Sequence, residues 1–137
     1  ATGATLHLIE PLGFSLEERE VKRAGLDYWE HVDVRVWPDW ATFEAQLPTL
    51  GTPYFFSTKA TLPYWDAPMG STEGVVLVFG RETGGLPADL HERFGAQFVS
   101  MPILSSRVRS LNLSTSVAIA AYEVLRQRRQ HGDASAP

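Results

Sequence analysis

Two polar segments of this chain combine residue types that could hold and transform a small ligand. The first is Gly80-Arg81-Glu82-Thr83-Gly84-Gly85, in which three glycines allow close backbone approach to a ligand and Glu82 adds one carboxylate at the mouth. It lacks the Gly-Lys-Ser/Thr ending of a phosphate-binding Walker loop, which argues against nucleoside triphosphate hydrolysis. A glycine-rich turn also serves any tight strand-to-helix connection, so this loop alone identifies no ligand.

The second segment, Met101 to Ser116, contains five serines, one threonine, one asparagine and two arginines where a helix is predicted to begin. At least one of its polar residues is expected to cap that helix, the candidates being Ser110, Asn112 and Ser114. Capping does not explain Arg107 and Arg109, because an ordinary loop gains nothing from two guanidinium groups beside a glycine-rich cleft.

Alternating strand and helix patterns predict the scaffold that positions these segments. Short apolar or alternating runs predict five strands, at Leu6 to Ile9, Val32 to Val36, Pro53 to Ser57, Val75 to Phe79 and Phe98 to Met101. Val75 to Phe79 is apolar throughout, which suits a strand covered on both faces. The pattern indicates an α/β fold with a mainly parallel sheet flanked by helices. Ligands bind such sheets beyond the carboxyl ends of the strands, here after Phe56, Phe79 and Met101.

Four helices are predicted between and after the strands. One follows the capping box of Ser15 and Glu18, and a second begins at Pro38-Asp39 with an apolar face of Trp40, Phe43 and Leu47. The third has Pro87 in its first turn and an inward stripe of Leu86, Leu90 and Phe94. The fourth runs from Asn112 to Gln127, and its apolar first half, as far as Ala121, is expected to be buried.

Composition limits the classes of function. With 137 residues, 44% of them hydrophobic, the chain is expected to form one domain over residues 1–130 with a flexible tail at 131–137. The absence of cysteine excludes disulfides, a thiol nucleophile and zinc–thiolate sites, and the cytoplasm is the expected compartment. No metal is expected, and no apolar run is long enough to span a bilayer, so no membrane association is predicted. A net charge of −4 means that RNA binding would need a local basic patch. The arginines at 126, 128 and 129 are interpreted as a solvated helix end.

Several motifs resemble one protein family. Val78 to Pro87 (VFGRETGGLP) and Arg109 to Ile119 (RSLNLSTSVAI) resemble the two C-terminal motifs of SPOUT RNA 2′-O-methyltransferases, and the resemblance is clearest from Val75 to Tyr122. Upstream, Leu6 to Phe14, Arg23 to Trp29 and Ser57 to Thr61 resemble the TrmL/YibK type, which methylates the wobble-position ribose of tRNA. The similarity covers nearly the whole chain.

This resemblance implies a deep C-terminal trefoil knot, an exception to the usual absence of knots, and a homodimer. It further implies an S-adenosylmethionine site built largely from backbone groups, with S-adenosylhomocysteine as the product. The residues implied at that site are Phe56, Thr58, Gly80, Glu82, Gly85, Met101, Ile103, Leu104, Ser110, Leu111 and Ser114.

The implied reaction needs a base or an oxyanion stabiliser, because a ribose hydroxyl is a poor nucleophile. Arg109 is the candidate for contacting phosphate or lowering the pKa of the hydroxyl, with Glu82, Asn112 and Ser114 organising the site and Tyr122 supporting them. For Glu82, a structural hydrogen-bond acceptor is an equally good interpretation. Contacts to RNA, from the anticodon stem-loop of tRNA, are expected at Lys59, Arg107 and Arg109, although Lys59 could equally be a surface turn residue.

One departure from the family keeps alternatives open. Family members begin with a further strand and a helix carrying an N-x-G-x-x-x-R motif, and this chain has neither. Either an N-terminal piece is missing from this sequence or the chain is truly truncated, and we expect the former. Three functions remain compatible with the residues: a tRNA wobble-ribose methyltransferase, a ribosomal RNA methyltransferase of the same fold, and a non-catalytic RNA-binding protein on that fold.

Overall fold

The computed structural model describes residues 2–10, 33–70, 74–80, 85–105 and 112–132. The chain divides into two units, Ala1–Gln46 and Leu47–Pro137. Each unit is described separately below. The predicted helix after Ser15 lies outside the described residues, and the single-domain boundary at residue 130 stays a prediction.

The first unit contains two parallel strands and a short helix. Strand β1 (Leu6–Ile9) pairs with β2 (Val34–Trp37), with Leu6 opposite Val34 and Ile9 opposite Trp37. Helix α1 (Trp40–Glu44) follows, and the Asp39 side chain caps it by accepting a hydrogen bond from the Thr42 amide at 2.7 Å.

An aromatic cluster holds this first unit together. The rings of His7 and Trp37 lie against buried Phe43, with centroid distances of 5.0 Å and 5.6 Å respectively. The Trp37 indole N–H donates a hydrogen bond to Nδ1 of His7 at 3.0 Å. This bond needs an unprotonated Nδ1, so His7 is neutral in this arrangement.

The second unit builds a three-stranded parallel sheet. Helix α2 (Leu47–Leu50) leads into β3 (Thr52–Phe56), and β4 (Val75–Phe79), α3 (Ala88–Arg93), β5 (Phe98–Val99) and the long helix α4 (Leu113–Gln130) follow in order. The strand order is β4-β3-β5, and both pairings are parallel.

Strand β3 supplies the centre of the core. Fully buried Phe55 stacks on Phe98 and on Phe94, each at a centroid distance of 4.9 Å. On the other face of the strand, Tyr54 joins a buried cluster with Met69 and with Val124 of α4. Because successive side chains of a strand point to opposite faces, β3 is packed on both.

Three expectations about the elements were wrong in detail. The predicted helix containing both Phe43 and Leu47 is two helices, α1 and α2, because Pro48 cannot donate the next helical hydrogen bond and its ring clashes with the preceding turn. Strand β5 ends at Val99, with an isolated bridge from Ser100 to Pro63 beyond it. Strand β4 is mostly half-buried, because it pairs only with β3 within the described sheet.

The first half of α4 also differs from the prediction of burial. Val117 and Ile119 are each 37% exposed and Tyr122 is 56% exposed, whereas Ala120, Val124 and Gln127 are buried. These three buried positions recur at helical spacing, so α4 packs along one stripe and the remaining apolar residues of its first half face outward.

The α/β architecture agrees with the sequence prediction, since parallel strands alternate with helices. The prediction of one sheet was wrong for the described strands, which form a two-stranded and a three-stranded sheet. Within the ranges described, no helix combines the length and apolar character needed to cross a membrane.

Candidate functional site

The carboxyl ends of the three strands in the second unit lie side by side. Phe56, the last residue of β3, is in register with Phe79 of β4 and with Val99 of β5. The rings of Phe56 and Phe79 stack with centroids 4.6 Å apart. The loops that follow these strands therefore begin at one edge of the sheet, as the sequence predicted.

The loop after β4 is closed at its base by two glycines. A Cβ atom added to Gly80 would lie 2.5 Å from the carbonyl carbon of Gly85 and 2.7 Å from the amide nitrogen of Leu86. Gly85 has a φ of +62°, in the left-handed region that favours glycine. Gly80 is thus required for the two ends of the loop to meet.

The connection after β3 is tied to β5. The Ser57 amide donates to the Val99 carbonyl at 2.9 Å, and the Ser57 hydroxyl accepts from the Lys59 amide at 3.2 Å. Thr58 and Lys59 form the exposed turn between these anchors. The predicted turn is confirmed, and the roles of both residues in binding stay predictions.

The segment after β5 carries apolar side chains and begins at the same edge of the sheet. Met101 and Ile103 are half-buried, whereas Leu104 is 98% exposed. A large apolar side chain in full contact with solvent is costly, so this segment is suited to covering an apolar ligand surface such as a purine ring.

The N-terminus of α4 is capped by Asn112. Its Oδ1 accepts hydrogen bonds from the Ser114 amide at 3.0 Å, the Thr115 amide at 3.4 Å and the Ser114 hydroxyl at 2.6 Å. The prediction that at least one polar residue caps this helix is confirmed. Asn112 and Ser114 are brought together, and the cap fixes their side chains at the start of α4.

The remaining site predictions divide into two groups. Tyr122 is ten residues beyond Asn112, about 15 Å along the helix at ~1.5 Å per residue, and exposed. Its supporting role at the site therefore stays a prediction. The other predicted residues lie outside the described residues, namely Glu82, Arg107, Arg109, Ser110 and Leu111.

A buried polar contact that the sequence analysis did not identify joins α4 to the β3–β4 connection. The Gln127 side chain, in a residue only 7% exposed, accepts a hydrogen bond from the Gly70 amide at 3.0 Å through Oε1 and donates to Glu123 at 2.8 Å through Nε2. Arg126 binds the same Glu123 carboxylate through two hydrogen bonds of 2.7 Å and 2.8 Å.

The hydrogen bonds from Arg126 and Gln127 favour the ionised form of Glu123. The hydrogen bonds from Arg126, and then that from Gln127, lower the pKa of Glu123 against the opposing effect of its partial burial. The spacing of Glu123, Arg126 and Gln127 at i, i+3 and i+4 was the available sequence signal, because such residues share one helix face.

Together these features form a site with few ionisable groups among the described residues. Strand ends, a closed glycine loop and an exposed apolar segment can bind a ligand through backbone groups and apolar contact. Such a site suits holding and orienting a ligand that carries its own reactive group.

Comparison with known proteins identifies the family. The SpoU rRNA Methylase family matches residues 1–122. The tRNA (cytidine(34)-2′-O)-methyltransferase of Burkholderia ambifaria is 44% identical over 135 residues, which cover 97% of this chain and 85% of that protein.

Solved structures agree with this match. One that concerns the 2-OH methylation of C/U34 on tRNA has a TM-score of 0.82 and 42% sequence identity, and covers 93% of this chain and 81% of its own. The SpoU methyltransferase AviRb from Streptomyces viridochromogenes, in complex with AdoMet, has a TM-score of 0.71 at 20% identity over 94% of this chain and 52% of its own, and shows the fold alone. The family resemblance read from the sequence motifs is confirmed, and this chain belongs to the SpoU methylase family.

Proposed function

We propose that this chain transfers a methyl group from S-adenosylmethionine to the 2′-hydroxyl of the ribose at tRNA position 34. The observation that carries the proposal is the 44% identity, over 97% of the chain, to a relative named for this activity on cytidine 34. The loops that begin together at the carboxyl edge of the sheet support the proposal, because ligands bind parallel sheets at this edge.

The residues around that edge fit S-adenosylmethionine. An adenine ring needs apolar cover and backbone hydrogen bonds, and the exposed Leu104 side chain beside the strand ends can supply the first of these. When bound, the cofactor supplies a methyl group on a positively charged sulfur. We assign its binding to Phe56, Thr58, Gly80, Glu82, Gly85, Met101, Ile103, Leu104, Ser110, Leu111 and Ser114.

The chain's own residues would then position the ribose and assist loss of its proton. We assign the central role to Arg109, as a contact to phosphate or as the cation that lowers the pKa of the ribose hydroxyl. Asn112 supports it by fixing Ser114 and the start of α4 through the hydrogen bonds at the helix cap. Glu82 and Tyr122 complete the assignment, and Lys59, Arg107 and Arg109 are assigned to RNA.

We further propose a homodimer, a knotted C-terminal segment and a cytoplasmic location. The dimer is supported by the outward-facing apolar residues of α4, since Val117, Ile119 and Tyr122 are all more than a third exposed. The knot is supported by the packing of α4 against the 64–70 connection between β3 and β4, at Gly70 and Gln127. A tRNA substrate favours the cytoplasm.

Transfer of labelled methyl from S-adenosylmethionine to tRNA tests the activity. Wild-type protein is expected to label the 2′-oxygen of nucleotide 34, and Arg109→Ala to lose most of the rate. Arg93→Ala is the matched control, because that arginine lies on α3 and pairs with Asp89 on the same helix at 3.5 Å. A wild-type protein that labels no RNA would refute the proposal.

The name of the family refers to ribosomal RNA, which makes ribosomal RNA a second candidate substrate class. Mapping of 2′-O-methyl groups on total RNA, from cells with and without the gene, separates the two classes. Loss of the modification at tRNA position 34 supports the proposal, and loss at a ribosomal position with position 34 intact overturns it.

A further inference from the structure

An exposed tryptophan lies on a rigid turn of the β3–β4 connection. Trp65 is 50% exposed and belongs to a single 3-10 turn, Tyr64–Asp66. Its ring lies next to that of Tyr64, with centroids 5.3 Å apart. Half of the Trp65 surface is therefore open to solvent.

The turn is held firmly to the end of the sheet. The Tyr64 amide donates to the Ser100 carbonyl at 2.8 Å, and the Ser100 amide donates to the Leu62 carbonyl at 2.8 Å. On its other side the turn leads into Ala67 and Met69, which are 2% and 0% exposed. An aromatic ring on an anchored turn loses little conformational entropy when a partner stacks on it.

Helix α4 lies beside this aromatic pair, because Tyr64 packs against the buried cluster that includes Val124 of α4. Burial raises the pKa of Tyr64, and the Glu123 carboxylate raises it further while the Arg126 guanidinium lowers it. The Arg126 side chain is 51% exposed and its bond to Glu123 balances that carboxylate. Arg129 follows one turn later on the same helix.

Exposed aromatic rings flanked by guanidinium groups are the usual chemistry of single-stranded RNA binding, because bases stack on rings while cations meet phosphates. We propose that Trp65, with Tyr64 and the α4 arginines, forms a stacking surface for an unpaired base of the RNA substrate. This inference rests on the proposed function for the identity of that RNA.

The spacing suits a single RNA loop. Val124, whose buried cluster Tyr64 packs against, is twelve residues from Asn112 at the start of α4, about 18 Å along the helix axis at ~1.5 Å per residue. Stacked nucleotides are separated by about 3.4 Å, so roughly five nucleotides span that distance. Trp65 would therefore hold a base a few nucleotides from the ribose that reacts.

Steady-state kinetics of the purified protein, in whichever oligomeric state it adopts, test the proposal. The concentrations of tRNA and S-adenosylmethionine are varied separately. Trp65→Ala is expected to raise KM for tRNA about tenfold or more, while KM for S-adenosylmethionine stays within twofold. Trp65→Phe retains a ring and is expected to recover most of the affinity, whereas Trp65→Leu, which is apolar without a π-face, is not. Leu62→Ala, which truncates another exposed apolar residue of the same connection, serves as the control.

Fluorescence polarisation with a labelled anticodon stem-loop separates RNA binding from catalysis. Arg129→Gln is expected to reduce the slope of log affinity against log salt by about one. If wild-type protein binds this RNA through Trp65 but methylates no tRNA, the proposed function fails and the stacking surface stands. If wild-type protein methylates tRNA and Trp65→Ala has the same KM, the stacking surface is refuted alone.

Sedimentation of the same variants tests whether Trp65 belongs instead to a contact between copies of the chain. If Trp65→Ala changes the oligomeric state, and RNA affinity falls only in proportion to the fraction of oligomer lost, the tryptophan belongs to a contact between copies of the chain. The proposal is then overturned. An unchanged oligomeric state with weaker RNA binding supports it.

Discussion

Replacing Gly80 by alanine tests whether the closed base of the glycine loop is needed for activity. Gly80 is not among the glycines with positive φ, so its backbone accepts an alanine without conformational strain. The effect of the substitution is therefore steric alone. The new Cβ would lie 2.5 Å from the carbonyl carbon of Gly85 and 2.7 Å from the Leu86 amide nitrogen.

The size of the effect follows from these distances. Carbon atoms in contact prefer separations of about 3.5 Å, so one end of the loop must move by about 1 Å. The opposing atoms belong to the backbone and cannot rotate away. A displacement of about 1 Å in groups that position a substrate costs about 100-fold in rate, and overpacking costs about 1–3 kcal/mol of stability. We expect kcat to fall about 100-fold in a protein that still folds.

Gly95→Ala is the matched control, because a Cβ at Gly95 would meet no atom within 4 Å. Its activity and unfolding free energy are expected to stay close to wild type, within about 0.5 kcal/mol for the latter. The assay is methyl transfer to tRNA, with circular dichroism melting to establish that each variant is folded. A folded Gly80→Ala protein with kcat within twofold of wild type would refute the steric argument.

Three further predictions concern the supports of the fold. Asn112→Ala should lower the unfolding free energy by about 1 kcal/mol through loss of the α4 cap. Asn112→Asp keeps the acceptor and should leave the unfolding free energy close to wild type. Equal denaturant midpoints for Asn112→Ala and wild type would contradict this. Gln127→Leu should cost about 1–3 kcal/mol, because the Gly70 amide loses its acceptor, and a smaller loss would mean that water replaces the side chain. Burial, and then Arg35, lower the pKa of folded His7 below that of the unfolded chain, against a smaller opposing effect of Asp33. The stabilisation contributed by neutral His7 is then full above about pH 6.5 and is lost as pH falls through the lower pKa of His7 in the folded chain. His7→Gln should therefore flatten the dependence of unfolding free energy on pH between about 5 and 7.

Local sequence signals determined much of the fold and the family. The apolar run Val75–Phe79 specified β4 with its observed ends, and Asn112 was among the predicted caps of α4. The two glycine- and serine-rich motifs identified the family, which the match over residues 1–122 confirms. Such signals succeed because strand runs, caps and tight turns depend on residues close to one another in the chain.

Contacts between distant segments decided what the sequence could not. The motif marked Gly80 as a residue for ligand approach, whereas the structure shows that its missing Cβ leaves room for Gly85 and Leu86. Periodicity could not predict which face of an all-round apolar helix is covered, and α4 is buried only along the stripe that meets the rest of its unit. Likewise, the bond from Gln127 to Gly70 joins residues 57 positions apart, and no local pattern specifies such a pair. The sequence alone thus determined the family and the type and approximate position of most described elements. Only the tertiary structure decided which surfaces those elements bury, because burial depends on the partner that each face meets.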